Sequence, residues 1–114
     1  MKTISYKLSD GDIKAIVAAL PIALEFDLFM NTSKIQSDLN KASIESAGVK
    51  LLNKNLDLTP NEIRVIGLAV GLATAFLTDP DSLDFELDED SMHAIQPYIF
   101  TYQKLDPIFR QALA

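Results

Sequence analysis

The stretch LTPNEIRVIGLAVGLATAFLT, residues 58–78, decides the fold. Thr59 reads as a helix N-cap. Pro60 takes the first helical position, where its missing N–H costs nothing, and Glu62 stands three residues after the cap and closes a capping box. From Val65 onward nearly every residue is apolar, and a helix without a polar face belongs in a core. The uninterrupted apolar run, Val65 to Ala73, is far shorter than the roughly 20 residues that span a bilayer, so the stretch predicts a buried core helix from Pro60 to about Thr78. Gly67, Gly71 and Ala75 fall four apart and give this helix one smooth face, predicted as a helix-packing surface that another backbone approaches closely.

The same pattern occurs fifty residues earlier, in LSDGDIKAIVAALPIALEFD, residues 8–27. Without a gap, the pairs Leu8/Leu58, Ile13/Ile63, Ile16/Ile66, Ala19/Ala69, Ala23/Ala73 and Phe26/Phe76 are identical. Ser9/Thr59, Asp12/Glu62 and Lys14/Arg64 keep their chemistry. This internal two-fold repeat predicts a second capped helix, from about Asp10 to Met30, with Ile13, Ile16, Val17, Leu20, Leu24 and Leu28 as its apolar stripe. Pro21 within it predicts a kink or a break.

Around these two helices the chain supplies cover. Ser33 and Gln36 read as another capping box, opening a helix to about Lys54 with Ile35, Leu39, Ala42, Ser46 and Val49 along one stripe. Asn31, Thr32 and Ser33 form its linker. Asp88 or Asp90 caps a fourth helix with the stripe Met92, Ile95, Ile99 and Tyr102 and a kink at Pro97, and Asp106-Pro107 opens a short last helix carrying Ile108, Phe109 and Leu113. Residues 3–8 and 83–88 alternate polar with apolar, which predicts a minor two-stranded ribbon between them. The expected architecture is a single all-α domain over 1–114: a bundle of four main helices plus a short C-terminal one.

The charge is uneven. The chain carries sixteen acids against ten Lys and Arg, for a net charge of −6. Seven acids fall within twelve residues: Asp79, Asp81, Asp84, Glu86, Asp88, Glu89 and Asp90. No Lys or Arg lies between Arg64 and Lys104, so the rest of the chain is nearly neutral. Such a segment repels nucleic acid and anionic lipid and attracts a basic protein partner. The dipole of the fourth helix accounts for the acids at its start but not for Asp84 or Glu86.

Catalytic chemistry finds little support. There is no Cys, which removes disulfides, thiolate metal sites and thiol nucleophiles and favours a reducing, cytoplasmic setting. No cationic leader with an apolar stretch opens the chain, so no signal peptide is expected. His93 is the only histidine and has no nucleophile–base framework around it. Set against a calcium loop beginning at Asp79, Leu83 stands at the fifth position, Asp84 replaces the glycine at the sixth, and the short Asp90 replaces the bidentate Glu at the twelfth, so no metal is expected. No phosphate loop is present and basic residues do not interleave with aromatics, so neither a cofactor nor a nucleic acid is expected. The reading is of a non-enzymatic interaction protein, of inhibitor, immunity, antitoxin or adaptor type, that presents residues 79–90 to a basic partner. Two alternatives stand beside it. One is a small-molecule binder with an apolar pocket at the helix kinks near Tyr98, Phe100 and Tyr102. The other is a self-assembling homo-oligomer joined through Gly67 and Gly71.

Overall fold

A computed structural model describes residues 3–30, 33–83 and 86–113, those at 28–30 and 112–113 in backbone alone. The linker residues Asn31 and Thr32, Asp84 and Phe85, and the side chains of Leu28 and Leu113 therefore lie outside the described residues. In chain order the elements are β1 (Ile4–Ser5), α1 (Asp10–Met30), α2 (Lys34–Leu52), β2 (Asp57–Leu58), α3 (Pro60–Thr78), a 3₁₀ turn (Pro80–Ser82), α4 (Glu89–Ile95), a second 3₁₀ turn (Gln96–Tyr98) and α5 (Ile99–Leu113). The fold is an all-α bundle with a two-stranded ribbon.

The helix starts follow from their caps. The Thr59 hydroxyl accepts from Glu62 N at 3.2 Å, and the Glu62 carboxylate accepts from Thr59 N at 2.8 Å. At α1 the Ser9 hydroxyl accepts from Asp12 N and the Asp12 carboxylate from Ser9 N, each at 3.1 Å. Ser33 caps α2 only in part: it accepts from Gln36 N at 3.3 Å, but the Gln36 amide turns to Asn40 at 2.9 Å. Asn53 ends α2, and Lys54 beyond it adopts φ 58°.

The core is one cluster drawn mainly from α1 and α3, to which α2 gives Ile44, Ala47 and Leu51. From α1 come Ile13, Ala15, Ile16, Ala19, Leu20, Ile22 and Ala23, and from α3 Ile63, Val65, Ile66, Ala69, Val70, Leu72, Ala73 and Phe76. α4 adds Ile95, while α5 adds Tyr102, Leu105 and Phe109. Small alanines on both central helices let them cross closely. Among the described residues α3 alone is long and apolar enough to cross a membrane by length and composition, and half of that stretch is buried within the fold.

Four expectations are corrected. The ribbon pairs Ile4 with Leu58 and Ser5 with Asp57, antiparallel, and Tyr6 N continues it to Leu56 O at 3.1 Å. It therefore joins the approaches to the two central helices, and Leu83, Glu86, Leu87 and Asp88 form no strand. Of the kink or break expected at Pro21, the break is excluded, since α1 is one helix from Asp10 to Met30. The break near Pro97 is complete, a 3₁₀ turn separating α4 from α5, and α5 then continues through Pro107 instead of starting there. Asp106 holds that turn through Arg110, at 2.9 Å across one helical turn. Finally, the predicted inner stripe of α2 faces out: Ile35 is 85% exposed, Leu39 51% and Val49 60%, with Ala42 and Ser46 exposed between them. The residues α2 buries are Asn40, Ser43, Ile44, Ala47 and Leu51.

Candidate interaction site

The acidic segment leaves the C-terminal end of α3. Asp79 closes that helix with its N–H on Ala75 O at 2.7 Å, and Pro80 starts the 3₁₀ turn. Apolar side chains then return to the body: Leu83, Leu87 and Met92 are half-buried and pack against the core beside Phe76. They floor a hollow of about 370 Å³ whose rim carries Asp81 and Glu86. Alternation thus works as foreseen at the described positions, with apolar residues inward and acids outward, although no strand forms.

Asp79, Asp81, Glu86, Glu89 and Asp90 are exposed, and their carboxylates have no cation or hydrogen-bond donor among the described residues. Asp84 lies outside those residues. Asp88 differs: its Oδ1 accepts from Ser91 N at 2.7 Å and caps α4, and the hydrogen bonds from Ser91 hold its carboxyl below the usual range. Glu89 and Asp90 occupy the first turn of α4, where the partial positive charge of the helix start favours them. The fold assigns no comparable work to Asp79, Asp81 or Glu86.

Acids elsewhere behave differently. Asp12 is bound by Lys104 Nζ at 2.6 Å and Glu62 by Lys50 Nζ at 2.7 Å and Ser46 Oγ at 2.6 Å. Burial alone would raise both carboxyls, but the bonds from Lys104 and Ser9, and from Lys50, Ser46 and Thr59, outweigh it and hold both below the ordinary range. Asp27, buried at the end of α1, accepts from Ser37 at 2.8 Å and Asn40 at 2.6 Å. Arg64 donates to Asn40 and Asn61, and Asn61 to Ser43. No buried side-chain N or O among the described residues lacks a partner. This polar seam fastens α2 to α1 and α3. Its acids were legible only where they also capped a helix, as at Asp12 and Glu62.

The smooth face of α3 lines a groove of about 390 Å³ beside α5, floored by Gly67, Gly71 and Ala75, walled by Leu68, Leu72 and Leu83, with Arg64 and Arg110 at its edge. A Cβ at Gly71 would lie 3.6 Å from Asp106 Oδ1, an ordinary contact with a side chain, so the close backbone approach expected there is not made. The aromatic residues of the kinked region separate. Tyr102 is fully buried and donates to Ala15 O at 2.7 Å, Tyr98 packs edge-on to it, and Phe100 is 81% exposed. Burial and the neighbouring Tyr98 push the Tyr102 hydroxyl far above its ordinary value. His93 stands exposed on α4, and no three His, Cys, Asp or Glu among the described residues converge. The chain matches no protein-family model, no curated protein and no solved structure.

Proposed function

We propose that this chain is a non-enzymatic interaction protein that binds a basic protein partner through residues 79–90. The observation that carries this reading is the hollow at the end of α3, with an apolar floor of Phe76, Leu83, Leu87 and Met92 and a rim bearing the carboxylates of Asp81 and Glu86, which have no cation or donor among the described residues. A Lys or Arg side chain has matching chemistry: an apolar stem for the floor and a cationic head for the rim. The remaining acids of the segment extend the negative field around it and would speed encounter with a positive surface. The lack of cysteine suits a cytoplasmic setting.

The test is native mass spectrometry of the chain isolated at low salt from the cells that produce it, beside the variant Asp81→Asn/Glu86→Gln. A basic protein held by the original chain, released by salt and lost from the variant supports the reading. A partner held equally by both, or one with an acidic surface, refutes it. A second reading, as a small-molecule binder, draws on the groove over Gly67, Gly71 and Ala75, whose walls are mainly apolar, with Arg64 and the ion-paired Arg110 and Asp106 at its edge, and which suits a largely apolar molecule. A lipid-like adduct in the same spectra would favour it.

A further inference from the structure

The acidic hollow and the groove beside α5 meet at Leu83, which lines both. From Arg64 to Ala75 the groove follows α3, roughly 16 Å or three turns at 1.5 Å per residue, before it reaches Leu83 and the acids beyond. The lining along that length restricts what can fill it. Its polar side chains are already bonded, Arg64 to Asn40 and Asn61, and Arg110 to Asp106. The backbone of α3 uses its own N–H and C=O groups within the helix. An extended segment laid here would bury N–H and C=O groups that find no partner, and each such group is costly. A helix satisfies its own backbone and presents only side chains. Gly67, Gly71 and Ala75 leave room for its axis to come close, with its apolar side chains against Leu68, Leu72 and Leu83.

Charge says which helix. At the Leu83 end Asp81 and Glu86 have no cation or hydrogen-bond donor among the described residues, and the sequence holds no Lys or Arg between Arg64 and Lys104. A helix whose apolar stripe fills the groove therefore fits best with a Lys or Arg just beyond that stripe, its stem over Leu83 and Leu87 and its cationic head at the rim. A second copy of this chain is a poor match, since each carries a net charge of −6. We propose that the groove between α3 and α5 receives an amphipathic helix of a basic partner protein, apolar over about three turns and cationic at the end that enters the hollow. This rests on the assignment of residues 79–90 to a basic partner and adds the shape of the partner's contact.

The probe is a synthetic, end-blocked and fluorescein-labelled peptide of alanine, glutamine and leucine, with its leucines three and four apart over about three turns and a pair of lysines at one end. A second peptide has the same composition and lysines but a scrambled leucine stripe. Fluorescence anisotropy with the intact chain at low salt should show saturable binding of the striped peptide, and binding of the scrambled one at least about tenfold weaker. Gly71→Leu fills the groove from its floor and Ala75→Gln sets a polar side chain in it; at unchanged circular dichroism each should weaken the striped peptide by about tenfold or more. Should the bulkier Gly71→Leu disturb the fold, Ala75→Gln decides alone. Groove variants that bind the striped peptide as the original chain does, while Asp81→Asn/Glu86→Gln has lost it, overturn the inference and leave the acidic hollow to bind by itself. Equal binding by Asp81→Asn/Glu86→Gln and the original chain refutes the assignment of residues 79–90, and this inference with it. Equal binding of the two peptides, or none of the striped one, overturns the helix. An original chain that sediments as a dimer, and as a monomer once Gly71→Leu is introduced, gives the groove to a second copy and likewise overturns the inference.

Discussion

Replacing Glu62 with alanine should lower the unfolding free energy by about 2–3 kcal/mol. This carboxylate is only 2% exposed and accepts three bonds: from Thr59 N at 2.8 Å, Lys50 Nζ at 2.7 Å and Ser46 Oγ at 2.6 Å. Loss of the capping interaction accounts for about 1 kcal/mol. A hydrogen bond to a charged group contributes about 1.5–3 kcal/mol when buried, but the Lys50 side chain is 26% exposed and can turn to water, so the lower part of that range applies. Glu62→Gln keeps the shape and one acceptor, and the Ser46 hydroxyl can rotate to accept from the new amide. That variant should lose only about 1 kcal/mol, mainly the charge on the Lys50 bond. Urea unfolding at neutral pH measures both. The carboxyl is held below its ordinary value of 4.5 in the folded state, so its contribution is present above that value and is lost as pH falls through the lower, folded value. The gap between the original chain and Glu62→Gln should therefore close in acid. A cost below about 0.5 kcal/mol for Glu62→Ala would refute the view that this carboxylate joins α2 to the start of α3.

Two further substitutions probe the core and the groove. Gly71→Ala should stabilise by about 0.5–1 kcal/mol, since the new methyl meets Asp106 Oδ1 at an ordinary 3.6 Å and the helix gains propensity; a lower thermal midpoint would show that the groove is occupied in the folded chain. Tyr102→Phe should cost about 1 kcal/mol, because the buried hydroxyl loses its bond to Ala15 O while that carbonyl keeps its place in α1; no change in denaturant midpoint would contradict the bond.

Sequence was most informative where local chemistry and burial agree. Thr59-Pro60-Glu62 and Ser9-Asp12 located the central helices because a capping pair needs only its own neighbours. α3 was legible as core because it has no polar face to offer. α2 was misread because apolar periodicity assumes that the apolar face turns inward. Here α2 turns inward a different, mixed face: Ile44, Ala47 and Leu51 enter the core, while Asn40, Ser43, Ser46 and Lys50 meet the polar groups of Asp27, Asn61 and Glu62. Those pairings span ten to twenty-four positions of chain, so no local window contains them. Asp106-Pro107 had the signature of a helix start, yet packing of Leu105 and Phe109 into the core carries α5 straight through it. The Leu83–Asp88 alternation gave the inward and outward sense of its described side chains, but a strand also needs an open edge, and β1 gives its edge to residues 56–58.

The central claim is that the fold does not use the acids rimming the hollow between α3 and α4. The unfolding free energy of Asp81→Asn/Glu86→Gln, measured at low and at high salt, tests it most directly. Unpaired carboxylates repel one another, and salt screens that repulsion within about 10 Å at 0.1 M. The double variant should be as stable as the original chain or slightly more stable at low salt, with the difference vanishing at high salt. A clear destabilisation at low salt would show that these carboxylates hold the fold together, and would contradict their assignment to a partner.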